Sequence, residues 1–272
     1  MRIRFRFSKL GKIRFTSQRD VARMWERALR RAALPLAYTE GFSPRPQLSF
    51  GLALPTGCES LAEYLDVVLD DHRPETAAID ISSLPAHLTG LLPAGIEVER
   101  ASLFEKGEGS LQQQVTSCSW EMRFTGVTRT ELEQRVGSLL AASVVPIVRA
   151  RKGREEHDDL RPSVLALAVS DEPGPAPADR TVGLVAELAT QPRGVRPAEL
   201  ARGLVAVSGP PPGGSSVGTV TTGDDPVGTP VLDRACRTQQ WIERDGIRKE
   251  PLVRRGEPTG TDRAGYALER AS

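Results

Sequence analysis

The three histidines, His72, His87 and His157, and the three cysteines, Cys58, Cys118 and Cys236, are the side chains of this sequence best suited to metal or nucleophilic chemistry. No two histidines have the i, i+4 or His-Glu-x-x-His spacing that aims two imidazoles at one metal. The cysteines are odd in number and far apart, so they predict reduced thiols rather than a disulfide framework. They also lack the tight three-cysteine loop that lets three thiolates converge on one iron–sulfur cluster. The run Glu155-Glu156-His157-Asp158-Asp159 offers oxygen ligands, but beside Arg149, Arg151, Lys152 and Arg154 it reads as the tip of a charged hairpin. No Gly-rich phosphate loop and no nucleophile elbow occurs, which leaves hydrolase and dehydrogenase chemistry unsupported. The expectation is a chain with no metal, no cofactor and no catalytic residues of its own.

Arginine is the chemistry that remains. Residues 1–50 carry twelve Arg or Lys against three acids, a net of +9, and residues 51–100 carry two arginines against nine acids, a net of −7. One domain with a basic and an acidic face follows, the two either attracting each other or meeting a partner. Val21, Met24, Trp25, Ala28, Leu29 and Ala32 recur at helical spacing and leave Arg23, Arg27, Arg30 and Arg31 off the apolar stripe. Arg45 stands between Pro44 and Pro46 after Gly41-Phe42-Ser43, where two fixed φ angles stiffen the loop and lower the entropy lost on binding. The candidate contact surface is therefore Arg19, Arg23, Arg27, Arg30, Arg31, Phe42 and Arg45. For Arg45 the competing reading is an ion pair with Glu63 or Asp66.

The elements that must position these residues are legible as patterns. Arg2 to Phe7 alternates as a half-buried strand, a turn and a short extended piece at Ile13 to Phe15 follow, and Ser17 with Asp20 three residues on predicts a helix start. Leu34-Pro35 ends that helix. A strand runs through Leu48, Phe50, Leu52 and Leu54, another over Glu63 to Asp70, then a weak helix over Glu75 to Leu92 interrupted by Pro85, then a strand at Ile96 and Val98. The order βαββαβ predicts an α+β fold with a ferredoxin-like split βαβ unit over residues 1–105. A second unit over 115–245 begins with Cys118, Trp120, Met122 and Phe124 in alternation and a helix through Leu132, Val136 and Leu139. Strands at 144–151, 162–169 and 182–188, a helix opened by Pro197 and a closing strand near 234–242 continue it. The fold class expected is α+β with tandem ferredoxin-like units. Residues 171–180 and 208–230, rich in Pro, Gly, Ser and Asp, read as a loop and a flexible insertion, and 246–272 as a disordered tail.

Phe15-Thr-Ser-Gln-Arg-Asp-Val-Ala-Arg23, Arg27-Ala-Leu-Arg-Arg31, Gly41-Phe-Ser-Pro-Arg-Pro46, Leu48-Ser-Phe50, Leu54-Pro55 and Glu63-Tyr-Leu-Asp66 together resemble the N-terminal signature of the radical-SAM-linked protein family. Its members are of undetermined biochemical function. Weaker similarity continues through Arg151-Lys-Gly153, Asp159-Leu-Arg-Pro162, Val195-Arg-Pro197 and Arg237-Thr238. The resemblance implies a protein fused to, or encoded beside, a radical-SAM enzyme. Family members commonly carry histidine where this chain has Gln18, so a proton-transfer or ligand role at that position is not carried over. The N-terminal topology is also similar to that of ferredoxin-like RNA-processing proteins of CRISPR systems, an analogy of fold alone.

The expectation for function is a non-catalytic companion that binds a radical-SAM protein in trans and helps position its substrate. RNA binding through the same arginines is the alternative, and an independent enzyme the third reading. The sequence has no RNP aromatic signature and a net charge of only +1, and no DNA partner is expected. Apolar stretches are short and broken, so neither a signal segment nor a membrane span is expected and the cytoplasm is the expected compartment.

Overall fold

The computed structural model describes residues 1–104, 110–151, 153–170, 181–207 and 229–252. The chain is a mixed α+β protein with mostly antiparallel strand pairing. It divides into two compact units, one taking in Met1–Cys118 and the described residues from Cys236 on, the other Ser119–Ala235.

In the first unit β1 (Arg2–Lys9) lies between β3 (Glu59–Val68) and β4 (Ile96–Leu103), antiparallel to both, and β2 (Leu48–Phe50) pairs antiparallel with β3. Alternation along β1 sends Ile3, Phe5 and Phe7 to one face, where all three are buried. Helix α1 (Gln18–Arg31) covers that face with Val21, Trp25, Ala28 and Leu29. Trp25 meets Phe5 and Phe7 at ring-centroid separations of 5.7 and 5.0 Å. Leu65, Val67, Leu88 and Ile96 complete the same core. Each such side chain contributes about 1.5–3 kcal/mol on burial, which is what fastens the helix to the sheet. The helix begins as expected, with the Ser17 hydroxyl oxygen accepting the Asp20 amide at 3.2 Å.

Three local readings need correction. The piece at Ile13 to Phe15 is part of a 3-10 turn, Gly11–Phe15, entered through Gly11 at φ +71°, a left-handed conformation open to glycine. Strand β2 stops at Phe50, and the Leu52 carbonyl accepts a side-chain hydrogen bond from Arg237 at 2.8 Å. The stretch over Glu75 to Leu92 holds two short helices, α2 (Pro74–Ala77) and α3 (Leu84–Thr89). Pro85 lies in the first turn of α3, where its missing N–H is no loss. The break falls before it, where the Asp80 carboxylate accepts from the Ser82 amide and hydroxyl. A further short helix, α4 (Leu111–Gln114), is opened by a Ser110–Gln113 capping box.

The second unit begins within β5 (Ser117–Thr125) and continues with α5 (Arg129–Ala141), the hairpin β6 (Pro146–Arg151) and β7 (Arg154–Asp159), β8 (Val164–Val169), β9 (Val182–Ala189) and α6 (Pro197–Ala206). Here β9 lies between β5 and β8. The Glu155 to Asp159 run is a strand of the hairpin rather than its tip, because Gly153 at φ +75° makes the turn.

Strand β10 (Val231–Arg244) enters the first unit at Cys236, where Cys236 and Arg237 pair in parallel with Glu59 and Ser60. Asp245 and Gly246, both at positive φ, turn it back into β11 (Ile247–Lys249). Order thus extends beyond residue 245, where disorder was expected, and Pro251 and Leu252 are buried. The rest of that tail, the 171–180 loop and the 208–230 insertion, apart from Thr229 and Pro230 at its end, lie outside the described residues. Among the described residues no helix is long and apolar enough to cross a membrane.

Candidate functional site

The exposed side of α1 and the turn after α3 enclose a surface groove of about 620 Å³, lined by Met24, Arg27, Arg30 and Arg31 on one wall and Gly90, Leu91, Leu92 and Pro93 on the other. Helical spacing creates the basic wall: 27, 30 and 31 follow one another at steps that share a face while Trp25, Ala28 and Leu29 turn inward. Arg30 is paired with Glu26 at 3.2 Å, an exposed bond that yields readily. Arg27 and Arg31 are exposed and have no ion pair or side-chain hydrogen bond among the described residues. The groove therefore offers two uncommitted guanidiniums, each with planar forked donors, next to an aliphatic wall.

Four other candidates lie outside it. Arg19 and Arg23 occupy the first turns of α1, both exposed, with Arg23 held to Asp20 at 3.4 Å. Phe42 is 110% exposed and Arg45 is exposed on the loop that Tyr38 and Pro46 close by a bridge. The Arg45 amide donates to Thr39 Oγ1 at 3.1 Å and its carbonyl accepts from the Thr39 amide at 2.9 Å, so this loop is stiffened beyond its prolines. The ion pair considered for Arg45 does not form. Asp66 is bound by Arg4 through two bonds of 2.6 and 2.8 Å, and Glu63 by Arg237.

Sequence reasoning missed a buried polar group behind α1. Arg237, 2% exposed, donates to Glu63 Oε1 at 2.6 and 3.1 Å. Burial acts to lower its pKa, yet Glu63 and Cys118 beside it hold the guanidinium above its ordinary value. Lys9 is buried with its Nζ donating to the Thr16 carbonyl at 2.9 Å, and desolvation keeps its pKa low despite the pull of Glu63. Burial likewise pushes the Cys58 thiol up. These groups are buried, and Glu63 is the counter-charge of Arg237, which suits a structural lock.

The opposite face of the sheet is polar too. Arg4, Arg6, Tyr64 and Asp66 share it, and Glu250 binds Arg6 at 3.1 Å, Arg100 at 2.9 Å and Gln239 at 2.7 Å. The alternation of β1 pointed to this face, but partners 62 and 244 residues away left no local signal.

In the second unit Glu156 pairs with Arg193 at 2.8 Å, and Asp158 with Arg149 at 3.3 Å. His72, His87 and His157 are not buried. Among the described residues no three His, Cys, Asp or Glu side chains are grouped to hold a metal ion.

Fold and groove together define a mixed α+β protein with an arginine-lined surface cavity. The chain belongs to the DUF2344 family, described as an uncharacterized protein conserved in bacteria, whose model matches residues 2–197. No curated protein matches it. Among solved structures, the crystal structure of an unknown protein from Galdieria sulphuraria is similar at 10% identity, covering 76% of this chain and 88% of that chain with a TM-score of 0.22, a likeness too slight to speak for the fold.

Proposed function

We propose that this chain is the non-catalytic companion of a radical-SAM enzyme, docking it in trans in the cytoplasm through the α1 groove and the Gly41 to Pro46 loop. The observation that carries the reading is the pair Arg27 and Arg31, exposed and with no acid on them among the described residues, against the aliphatic wall of Leu91, Leu92 and Pro93. An acidic segment with aliphatic residues would satisfy both halves of such a surface, gaining charge-assisted bonds and apolar contact together. The radical-SAM link is supported by the family resemblance, whose signature residues include these arginines and the loop. A ferredoxin-like reading of the first unit is supported by its sheet order β4-β1-β3 with β2 on β3, all antiparallel. The succession β5-α5-β8-β9-α6, with the β6–β7 hairpin inserted, supports a second such unit.

The test is co-purification of the tagged chain from a host lysate, with any radical-SAM protein recovered identified by mass spectrometry. Recovery at moderate salt, lost in Arg27→Ala/Arg31→Ala with an unchanged melting temperature, is the expected result. Equal recovery with the double variant removes the groove, and no recovery of any radical-SAM protein removes the reading.

RNA has one observation of its own in its favour, the exposed Phe42 near Arg45, which has no ion pair among the described residues, a combination able to stack a base and bind a phosphate. Filter retention of structured RNA that falls steeply with salt would favour it, and no retention at low salt would end it.

A further inference from the structure

Glu250, Pro251 and Leu252 cross the face of the first unit's sheet opposite α1 as an irregular strap. Three successive residues are each gripped differently. Glu250 takes Arg6, Arg100 and Gln239 on its two carboxylate oxygens. The Pro251 carbonyl accepts from Arg4 at 2.8 Å, and Leu252 is only 5% exposed. No strand ladder holds the strap, since β11 ends at Lys249. It is fixed by side chains and one carbonyl, the kind of segment that opens without global unfolding.

The arginines are not equally dependent on it. Arg4 keeps Asp66 and Arg6 keeps Glu99 at 3.1 Å when the strap leaves, whereas Glu250 is the one acid on Arg100 among the described residues. Lifting the strap leaves an uncompensated guanidinium, a second donor beside it at Arg4, and the seat of a leucine.

We infer that this sheet face is a receptor for a peptide of acidic–x–aliphatic chemistry, occupied in cis by Glu250–Leu252 and available to a partner protein's segment of the same chemistry when the strap lifts. The receptor is separate from the α1 groove and does not rest on the identity of the partner. The covalent link holds the strap at an effective concentration on the order of millimolar, so the intact chain excludes a dilute competitor.

The experiment uses a fluorescent peptide of sequence Ile-Arg-Lys-Glu-Pro-Leu-Val-Arg, copied from residues 247–254. Its anisotropy is read against the intact chain, a chain ending at Lys249, and full-length Glu250→Gln. Saturable binding is expected to the shortened chain and to Glu250→Gln, with none to the intact chain at the same concentrations. A peptide with glutamine in place of its glutamate should bind about tenfold or more weakly, the scale of a lost charge-assisted bond. Binding of both peptides alike, or equal binding by the intact chain, overturns the proposal. So does a shortened chain that is folded by circular dichroism and binds nothing. Should that chain fail to fold, Glu250→Gln decides, and no binding there overturns the proposal.

Discussion

Arg237 and Glu63 are both buried, and each is the other's counter-charge. Removing one member strands the other charge away from water, so Arg237→Ala or Glu63→Ala should each cost about 3–5 kcal/mol in urea unfolding. The double change Arg237→Ala/Glu63→Ala should cost clearly less than the sum of the single changes, and simple additivity would show that the two are not coupled. Tyr64 reports on the other side of the sheet. Its hydroxyl donates to Gln239 at 2.9 Å, and burial raises its pKa above the ordinary 10.0. The folded state therefore holds the proton more tightly than the unfolded chain. Stability from this group is complete below pH 10 and is lost as pH rises above it, because only the unfolded chain releases the proton. Cys58, also raised by burial, acts in the same direction from its ordinary 9.0, whereas Lys9, lowered by burial, opposes them. Comparing Tyr64→Phe with wild type isolates the tyrosine. The variant should lose about 1 kcal/mol at pH 7 and show a shallower fall in urea midpoint between roughly pH 9.5 and 11. Parallel pH profiles would contradict this.

Elements depend on a few termini and tight approaches. Ser17 caps the helix that carries the arginine groove, so Ser17→Ala should lower stability by about 1 kcal/mol by chemical denaturation, with no loss expected if the cap were idle. Gly95, at φ +92°, lies against the Leu10 carbonyl where a Cβ would overlap the oxygen, and Leu10 in turn donates its amide to the Gly95 carbonyl at 2.8 Å. Gly95→Ala should lower the melting temperature by roughly 10 °C or more, combining left-handed strain with displacement of β4 from the 3-10 turn. A variant melting like wild type would show that the turn adapts. These elements were largely legible: alternation located β1, β4 and β5, and the Ser17 cap signature with a regular apolar stripe located α1. What failed was decided by distant partners. Arg2, Arg4 and Arg6 alternate as a solvated face would, but Asp66 and Glu250, folded back from far along the chain, take up Arg4 and Arg6. The arginine wall of the groove was readable from helical spacing, but its aliphatic wall at Leu91 to Pro93 was not, since three apolar residues after a short helix carry no period.

Across the whole molecule, the first unit is completed by residues from far along the chain. Beyond Arg237, the Gln240 side-chain Nε2 donates to the Ala62 carbonyl at 2.6 Å, and Gln239 links Tyr64 to Glu250. A chain ending at Ala235 lacks all of these and leaves Glu63 unpaired. It should lose the cooperative quenching transition of Trp25, which packs on Phe5 and Phe7, and a retained wild-type transition would show that the first unit closes without its returning strand. The same return strand has a consequence in time. Glu63 and Arg237 are 174 residues apart, so at about 5–20 residues per second a ribosome makes the acid roughly 9 to 35 s before its counter-charge. Throughout that interval the nascent chain carries a carboxylate destined for the interior and a β3 without its parallel neighbour. The N-terminal half, first to leave the ribosome, is thus the half that must wait, and its exposure to chaperones and to misassociation is set by the speed of translation as well as by stability.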